Sequence, residues 1–512
     1  MDAIQLSLFA SRIAAVCDEM GAMLRCAALS PNIKDRLDFS CAVFDARGLL
    51  CAQAAHIPVH LGSMAYAMGG IVGQLEWRPG DMLIVNDPFL GGTHLPDVTL
   101  IAPVFVAGEL AAFVANRAHH ADIGAGTPGS MPISLCLDEE GIIIPPTHLL
   151  RGGVLDEEFL DSIVSATGNA EQSRGDFSAQ ISANRTGVHR LGALVQSFER
   201  DKFQRALEQL NDYGERLAAS ALALIPEGEY RFADVMDDDG VGTPDIPIQA
   251  ALTVRQGRVH VDFSGTAPQV PGNINCPLSV AAAAVYYVFR CLMPPQTPAC
   301  SGSFRRITLS APVGTLVNAR RPAAVAAGNV ETSSRIVDVI IGALAQAVPE
   351  QIPAASHGSM NNVAMGSRAG VRPWDYYETL GGGMGAGPHG GGLSALQTHM
   401  TNTLNTPIES LEMHYPLRIR RYQVRRGSGG AGLHPGGDGL VREYEFLAPA
   451  TVTLLTERRS HRPWGLAGGE PGQAGVNSCG GEALPAKISF NVQPGKRLTV
   501  ETPGGGGWGS LW

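Results

Sequence analysis

Val98-Thr-Leu-Ile-Ala-Pro-Val-Phe-Val106, then Ala107-Gly-Glu109, then Leu110 through Ala118, leading into His119-His120-Ala-Asp122: two apolar runs flank a short polar break that contains glycine. Runs of this kind, rich in Val, Ile and Phe, read as the two arms of an antiparallel β-hairpin. With Val106 facing Leu110 across the turn, the pairing carried back along both arms sets Asp97 opposite His119 and His94 near Asp122. Directly opposed residues have Cβ atoms about 4.5–5.5 Å apart, and bonds to a zinc-class ion are about 2 Å long, so His94, Asp97 and His119 converge on one cation. A slip of one residue at the turn would exchange the faces of the ribbon, so this reading hangs on the register.

Two imidazoles and a carboxylate without a thiolate suit zinc, manganese or iron(II), with positions left open for water or substrate. Structural zinc sites are usually closed by cysteines, so the pattern is a catalytic one. An ion there would lower the pKa of a bound water toward about 7, supplying hydroxide, or polarise a carbonyl. A lone His-x-x-Asp is more often a surface hydrogen bond; His119 at the far end of the same hairpin tips the balance toward metal. Asp38, in Arg36-Leu-Asp-Phe-Ser40, is a candidate fourth ligand or a partner that orients a histidine, with a turn role as the alternative. His56 and His60 alternate with apolar residues and can face the same site or sit satisfied in a core or interface. Glu139 and Glu140 precede a Gly-led apolar run; Glu140 is a candidate base, a turn carboxylate being the plain alternative. His120 and Asp122 are further candidates for proton transfer, and Asn86 and His60 for substrate contact.

Outward from the hairpin, the fold class reads as mixed α/β (α+β) with several domains. Residues 1–155 form a β-rich N-terminal domain that carries the metal site. It is entered by a helix with apolar positions Leu6, Phe9, Ile13, Val16, Met20 and Met23, stopped by Pro31. Residues 156–225 read as a helical connector, from the spacing of Leu191, Leu194, Val195, Phe198, Phe203, Leu207 and Leu210. Residues 226–350 read as a mixed α/β domain, with strands at Tyr230 to Asp234 and Ala251 to Phe263 and helices near 278–293 and 332–348. Residues 351–512 are a Gly-rich, β-containing C-terminal domain. Its glycines lie between Val, Leu and Ile runs, which points to close backbone packing. For the tail Gly504 to Gly507, tight packing and plain flexible chain stand as equal alternatives.

Composition excludes several classes. With 45% hydrophobic and 17% charged residues, the 512-residue chain is globular and suited to burying an interface, hence an oligomer. A net charge of −10 and pI near 5.8 argue against nucleic acid. The one basic run, Arg418, Arg420, Arg421, Arg425 and Arg426, alternates with other residues as a solvated strand face does. Nine cysteines without a Cys-x-x-Cys pair fit reduced thiols in the cytoplasm, and no secretory signal or membrane span is expected. There is no P-loop. Gly124-Ala-Gly-Thr-Pro-Gly129 matches a dinucleotide fingerprint in form, but Pro128 and Pro132 forbid the helix that would follow. A Gly-x-Ser-x-Gly elbow is also lacking.

The string Asn86 to Asp97, Arg117-Ala-His-His-Ala-Asp-Ile-Gly124 and Pro128-Gly-Ser130 resembles the hydantoinase B family, which includes the C-terminal part of 5-oxoprolinase and subunits of N-methylhydantoinase, caprolactamase, acetophenone carboxylase and acetone carboxylase. Val261 to Thr266, Gly272 to Asn275, Gly328-Asn-Val-Glu-Thr332, Asn402 to Glu412, Ser428 to Gly432 and Glu457-Arg458 with Pro463-Trp-Gly465 extend the likeness along nearly the whole chain. Ala125, Gly427 and Pro435 depart from it, where Gly, Asp and Arg are common. The resemblance implies metal positions at Asp38, His94, Asp97 and His119. It also implies a hydantoinase A-type partner that binds ATP and phosphorylates the carbonyl oxygen of a lactam, while this chain, in a hetero-oligomer, completes hydrolysis. Alternatives are ketone carboxylation by the same parts, a non-catalytic scaffold, and a metallohydrolase that needs no partner.

Overall fold

Asp2 caps the first helix by accepting from Gln5 N while Gln5 reaches back to Asp2 N, a reciprocal capping box, and α1 (Ala3–Ala27) follows. The computed structural model describes residues 1–54, 57–368 and 373–511, and its class is mixed α/β as the sequence indicates. Phe9, Ile13, Val16, Met20 and Leu24 form the buried stripe of α1; Met23, expected in it, turns outward. The helix ends at Ala27, ahead of Pro31. Pro31 instead opens α2 (Pro31–Lys34), where its missing N–H would have had no partner anyway.

The hairpin lies at the centre of a seven-stranded antiparallel sheet in the order β2-β1-β5-β4-β3-β6-β7. Its strands are β1 (Phe39–Asp45), β2 (Leu50–Gln53), β3 (Met82–Val85), β4 (Asp97–Val106), β5 (Glu109–His119), β6 (Thr147–Arg151) and β7 (Val154–Leu155). Asp97 pairs with His119, as the sequence predicts, but the tip is built differently. Val106 pairs with Glu109 rather than Leu110, around Ala107 and Gly108, both at positive φ (52° and 83°), the primed two-residue turn that suits strand twist. A bulge then leaves Ala111 unpaired between Leu110 and Ala112 and restores the expected register for the rest of the hairpin. Side-chain alternation gives the sheet two faces. Val98, Leu100, Val114 and Ala118 pack toward α1, and Ile101, Phe113 and Ala115 pack toward α3 (Pro58–Val72) through Met64, Met68 and Ile71. Asp97 and His119 belong to the α3 face.

The helical segment is α4 (Glu157–Val164), α5 (Ala170–Phe198) and α6 (Arg200–Leu222). Phe177, Leu191, Val195, Phe203, Leu207 and Leu210 share one core with α1 and the sheet. A four-stranded sheet follows: β8 (Gly228–Asp238), β9 (Pro244–Arg255), β10 (Arg258–Asp262) and β11 (Ile307–Ser310), with α7 (Leu278–Leu292) and α8 (Ser333–Leu344) against it. The run Ala251 to Phe263, read from sequence as one strand, is split by a turn at Gln256 and Gly257, both at positive φ (51° and 63°). A π-helical turn, Gly328–Thr332, leads directly into α8.

The remaining chain gives β12 (Asn362–Ser367), β13 (Trp374–Glu378), α9 (Ile408–His414), β14 (Leu417–Arg425), β15 (Gly439–Phe446), β16 (Ala450–Leu455), β17 (Val476–Cys479), β18 (Glu482–Leu484), β19 (Lys487–Val492) and β20 (Arg497–Glu501), arranged in two sheets. Gly504 to Gly507 are buried, which decides between the two readings of the tail. Their backbone bonds laterally to other glycine-rich segments: Gly430 N donates to Gly505 O and Gly505 N to Gly437 O, each at 2.9 Å. Among the described residues no helix is long and apolar enough to cross a membrane, and all nine cysteines are free thiols.

Candidate metal centre

His94 Nδ1 lies 3.0 Å from the carbonyl oxygen of Ala326. A carbonyl only accepts, so Nδ1 carries the proton and Nε2 presents its lone pair to the interior, the tautomer a metal ligand needs. Nε2 is 3.3 Å from Asp97 Oδ2, and that oxygen also accepts from the Thr93 hydroxyl at 2.6 Å and from Asn329 Nδ2 at 3.1 Å. His119 is held in its plane by Tyr377, stacked on it at 4.6 Å with 2° between the rings, and its Nδ1 is 3.3 Å from Asn32 Nδ2. The His94 and His119 rings meet edge to face at 5.1 Å.

His94, Asp97 and His119 thus offer three buried ligand atoms within 4.8 Å of one another. His94 Nε2 and His119 Nε2 have no hydrogen-bond partner, and Asp97 Oδ1 faces His60 Nε2 at 3.1 Å. A buried polar atom without a partner costs about 1–3 kcal/mol, and two imidazole nitrogens left so beside one carboxylate need a reason. A divalent cation supplies it, and the donor set fits one. Burial, reinforced by His94, keeps His119 well below the usual imidazole range and hence neutral, as a ligand must be. Burial works against charge on Asp97 as well, but His60 and His94 beside it hold its carboxyl well below the usual range. The pull of Asp97 outweighs burial at His94 and raises it, so a proton competes there for the place a cation would take.

Asp38 and His60 stand beside this triad. His60, in the first turn of α3, has Nε2 3.1 Å from Asp97 Oδ1 and 4.0 Å from Asp38 Oδ1. Asp38 is buried, raised by that burial, and 3.6 Å from Arg36 Nη2; its carbonyl accepts from His119 N at 3.0 Å. His60, expected to touch substrate or rest in a core, is part of the cluster itself. His56 lies outside the described residues.

Four other expected site residues are engaged elsewhere. His120 is one position beyond His119, so it faces the opposite side of the sheet. There its Nε2 is 2.9 Å from Gln180 Oε1 and its ring packs on Phe177, under α5. Asp122 does not approach His94 as the hairpin pairing predicts; it accepts from Ser130, Gly124 N and Gly168 N and pairs with Arg368, tying loops together. Asn86 spends its amide on Leu95 O, Ile142 O and Ile144 N, which leaves none for a substrate. Glu140, raised to about 7 by burial, accepts from Ser134, Val325 N and Ala326 N, so it lies behind His94 rather than beside a reacting atom. Asn32 and Tyr377 do not stand out in the sequence, and Arg36, Thr93 and Asn329 lie in quoted stretches that give no sign of their contacts. Only Thr93 is near enough in the chain to be found there, through its four-residue spacing from Asp97.

Residues 2–511 match the Hydantoinase B/oxoprolinase family. The chain belongs to that family. Arabidopsis thaliana 5-oxoprolinase 1 is 38% identical over 99% of the chain, and the B-type component of a putative D-/L-hydantoinase from a Pseudomonas species is 32% identical over all of it. The chain spans 42% of the length of the plant protein but 90% of the bacterial one. The crystal structure of the ATP-dependent caprolactamase of Pseudomonas jessenii superposes with a TM-score of 0.93 at 28% identity, covering 100% of this chain and 91% of that one.

Proposed function

We propose that this chain is the metal-dependent part of an ATP-dependent cyclic amidohydrolase that opens a lactam ring of the 5-oxoproline or hydantoin type. ATP is bound by a hydantoinase A-type partner, or by the additional length of a longer polypeptide. The observation that carries the reading is the convergence of three buried ligand atoms from His94, Asp97 and His119, two of them imidazole nitrogens without a partner. The names of the relatives add the substrate class: oxoproline, hydantoin and caprolactam share a cyclic amide.

An unstrained amide is a poor electrophile, and phosphorylation of its oxygen by ATP turns it into a reactive imidate-like ester. When bound, a zinc, manganese or iron(II) ion supplies Lewis acidity toward a carbonyl or a water. His94, Asp97 and His119 would hold it, with Asp38, just before β1, as the candidate fourth ligand. His60 Nε2, between Asp97 Oδ1 and Asp38 Oδ1, is the atom placed to hold a proton as the ring opens. The interior position of these groups keeps bulk water from an activated substrate.

Metal analysis of the purified chain and of Asp97→Ala and His94→Ala, with turnover measured beside the ATP-binding partner, tests this. The wild-type chain should hold a divalent ion and both variants should lose it, along with ATP-dependent ring opening. Retention of partner-dependent turnover by Asp97→Ala would mean that the chain is a scaffold.

A further inference from the structure

His94, Asp97 and His119 are each tied, directly or through two intermediaries, to a single short segment, 325–332. The Ala326 carbonyl fixes His94 Nδ1. Asn329 Nδ2 donates to Asp97 Oδ2. Glu331 Oε1 accepts from Met360 N at 2.9 Å and from Asn362 Nδ2 at 2.7 Å, and Asn362 Oδ1 accepts from the Tyr377 hydroxyl at 2.6 Å. Tyr377 is the ring stacked on His119. The other end of the segment is fastened by Glu140, whose Oε1 accepts from Val325 N and Ala326 N at 2.8 and 2.9 Å.

Helical residues two apart point to roughly opposite sides, so one turn sends Asn329 toward the cluster and Glu331 away into the body of the protein. That turn is π-helical, Gly328–Thr332, wholly buried, and π-turns are rare and collect at functional sites. Gly328 is pressed onto the chain behind it: a Cβ there would come within 1.8 Å of Asn275 O.

We propose that segment 325–332 is the strap that sets the geometry of the metal centre, and that Glu331 is its positioning residue, tying the Asp97 and His119 sides together from a place that touches neither. This rests on the metal-site reading above. Glu331 acts through its accepting oxygen, so an amide at this position preserves the function and a methyl group does not.

The test is the affinity of the purified full chain for Zn²⁺ and Mn²⁺, by competition with a chromophoric chelator, with the thermal midpoint of the metal-free protein measured alongside. Glu331→Ala and Asn329→Ala should each weaken binding by about 10–100-fold, the range for losing an outer partner of a ligand. Glu331→Gln should stay close to wild type. Asp81→Ala is the control: a buried carboxylate that holds Arg78 N and Gly152 N ahead of β3, it should lower the midpoint and leave affinity unchanged. If Glu331→Ala does not fold, Asn329→Ala against the control decides. Wild-type affinity in the strap variants beside loss in Asp97→Ala overturns the strap, as does equal weakening by Asp81→Ala. Wild-type affinity in Asp97→Ala itself removes the metal site and the strap with it.

Discussion

Glu331 also shows how far a single buried side chain can be followed. Burial, and then Glu457 nearby, raise its carboxyl from 4.5 to about 7. Between those values the folded chain holds a proton that the unfolded chain has released, so stability falls as pH rises through the window. Glutamine imitates the protonated form and does not titrate. Relative to Glu331→Gln, the wild-type protein should therefore hold its full stability below about pH 4.5 and should lose up to about 3 kcal/mol by pH 7, a loss that stays constant above it. Urea midpoints of the two proteins across that range measure the gap; a gap that does not change with pH would mean that the folded chain carries the charge as easily as the unfolded one. Other residues are readable directly. The period of two that turns His119 toward the cluster turns His120 to the opposite, equally buried face of the sheet, so the second histidine is excluded by the rule that selects the first.

At the scale of elements, the hairpin is legible because both arms and the turn are contiguous. Its register comes out as expected at Asp97 and His119 only because the shorter turn at Ala107-Gly108 and the bulge at Ala111 offset one another. Nothing in Leu110-Ala111-Ala112 announces a bulge. The strap at 325–332 is not legible as part of the site, since its contacts lie over two hundred residues from the ligands it serves. Glycine density, by contrast, does announce close packing, and the structure shows where it is obligatory. A Cβ on Gly505 would sit 2.1 Å from Met384 O, against backbone that cannot yield, whereas one on Gly387 meets nothing within 4 Å. Gly505→Ala should therefore cost more than about 4 kcal/mol, the range of severe core substitutions, or prevent folding. Gly387→Ala should be neutral within about 0.5 kcal/mol. Soluble yield and thermal midpoints of the pair check this, and a mild effect at Gly505 would show that the glycine-rich segments do not touch as described.

Across the whole molecule, the sheets are joined by a buried ionic network whose pairings residue order alone does not reveal. Arg458 Nη2 donates to Asp234 Oδ2 at 2.6 Å and to Asp338 Oδ2 at 2.5 Å, while Glu457 accepts from Arg335 at 3.1 Å and from Lys487 at 2.6 Å. These contacts fasten the loop after β16 to the middle of β8 and to α8, the helix that continues the strap. Removing three carboxylates, two guanidiniums and an ammonium from water is costly, so such a network adds little net stability, but it penalises any arrangement that leaves a charge alone. Its role is then to fix how the C-terminal sheets seat on α8. Arg458→Met keeps the aliphatic stem without the guanidinium, strands Asp338 and leaves Asp234 with Arg335 alone at 3.4 Å, and should cost about 3–5 kcal/mol at neutral pH. Adding Asp338→Asn to it should recover part of that loss, because one stranded charge is gone. The single variant should also gain on the wild type as pH falls through the carboxylate range, since Asp234, held to about 2 against the pull of burial by Arg458 and then Arg335, loses the stronger of these partners and takes up a proton at higher pH in the variant. Urea midpoints for the three proteins at neutral and acid pH provide the measurement. A double variant less stable than the single one would show that Asp338 serves another partner, and that Arg458 does not seat the C-terminal sheets on α8.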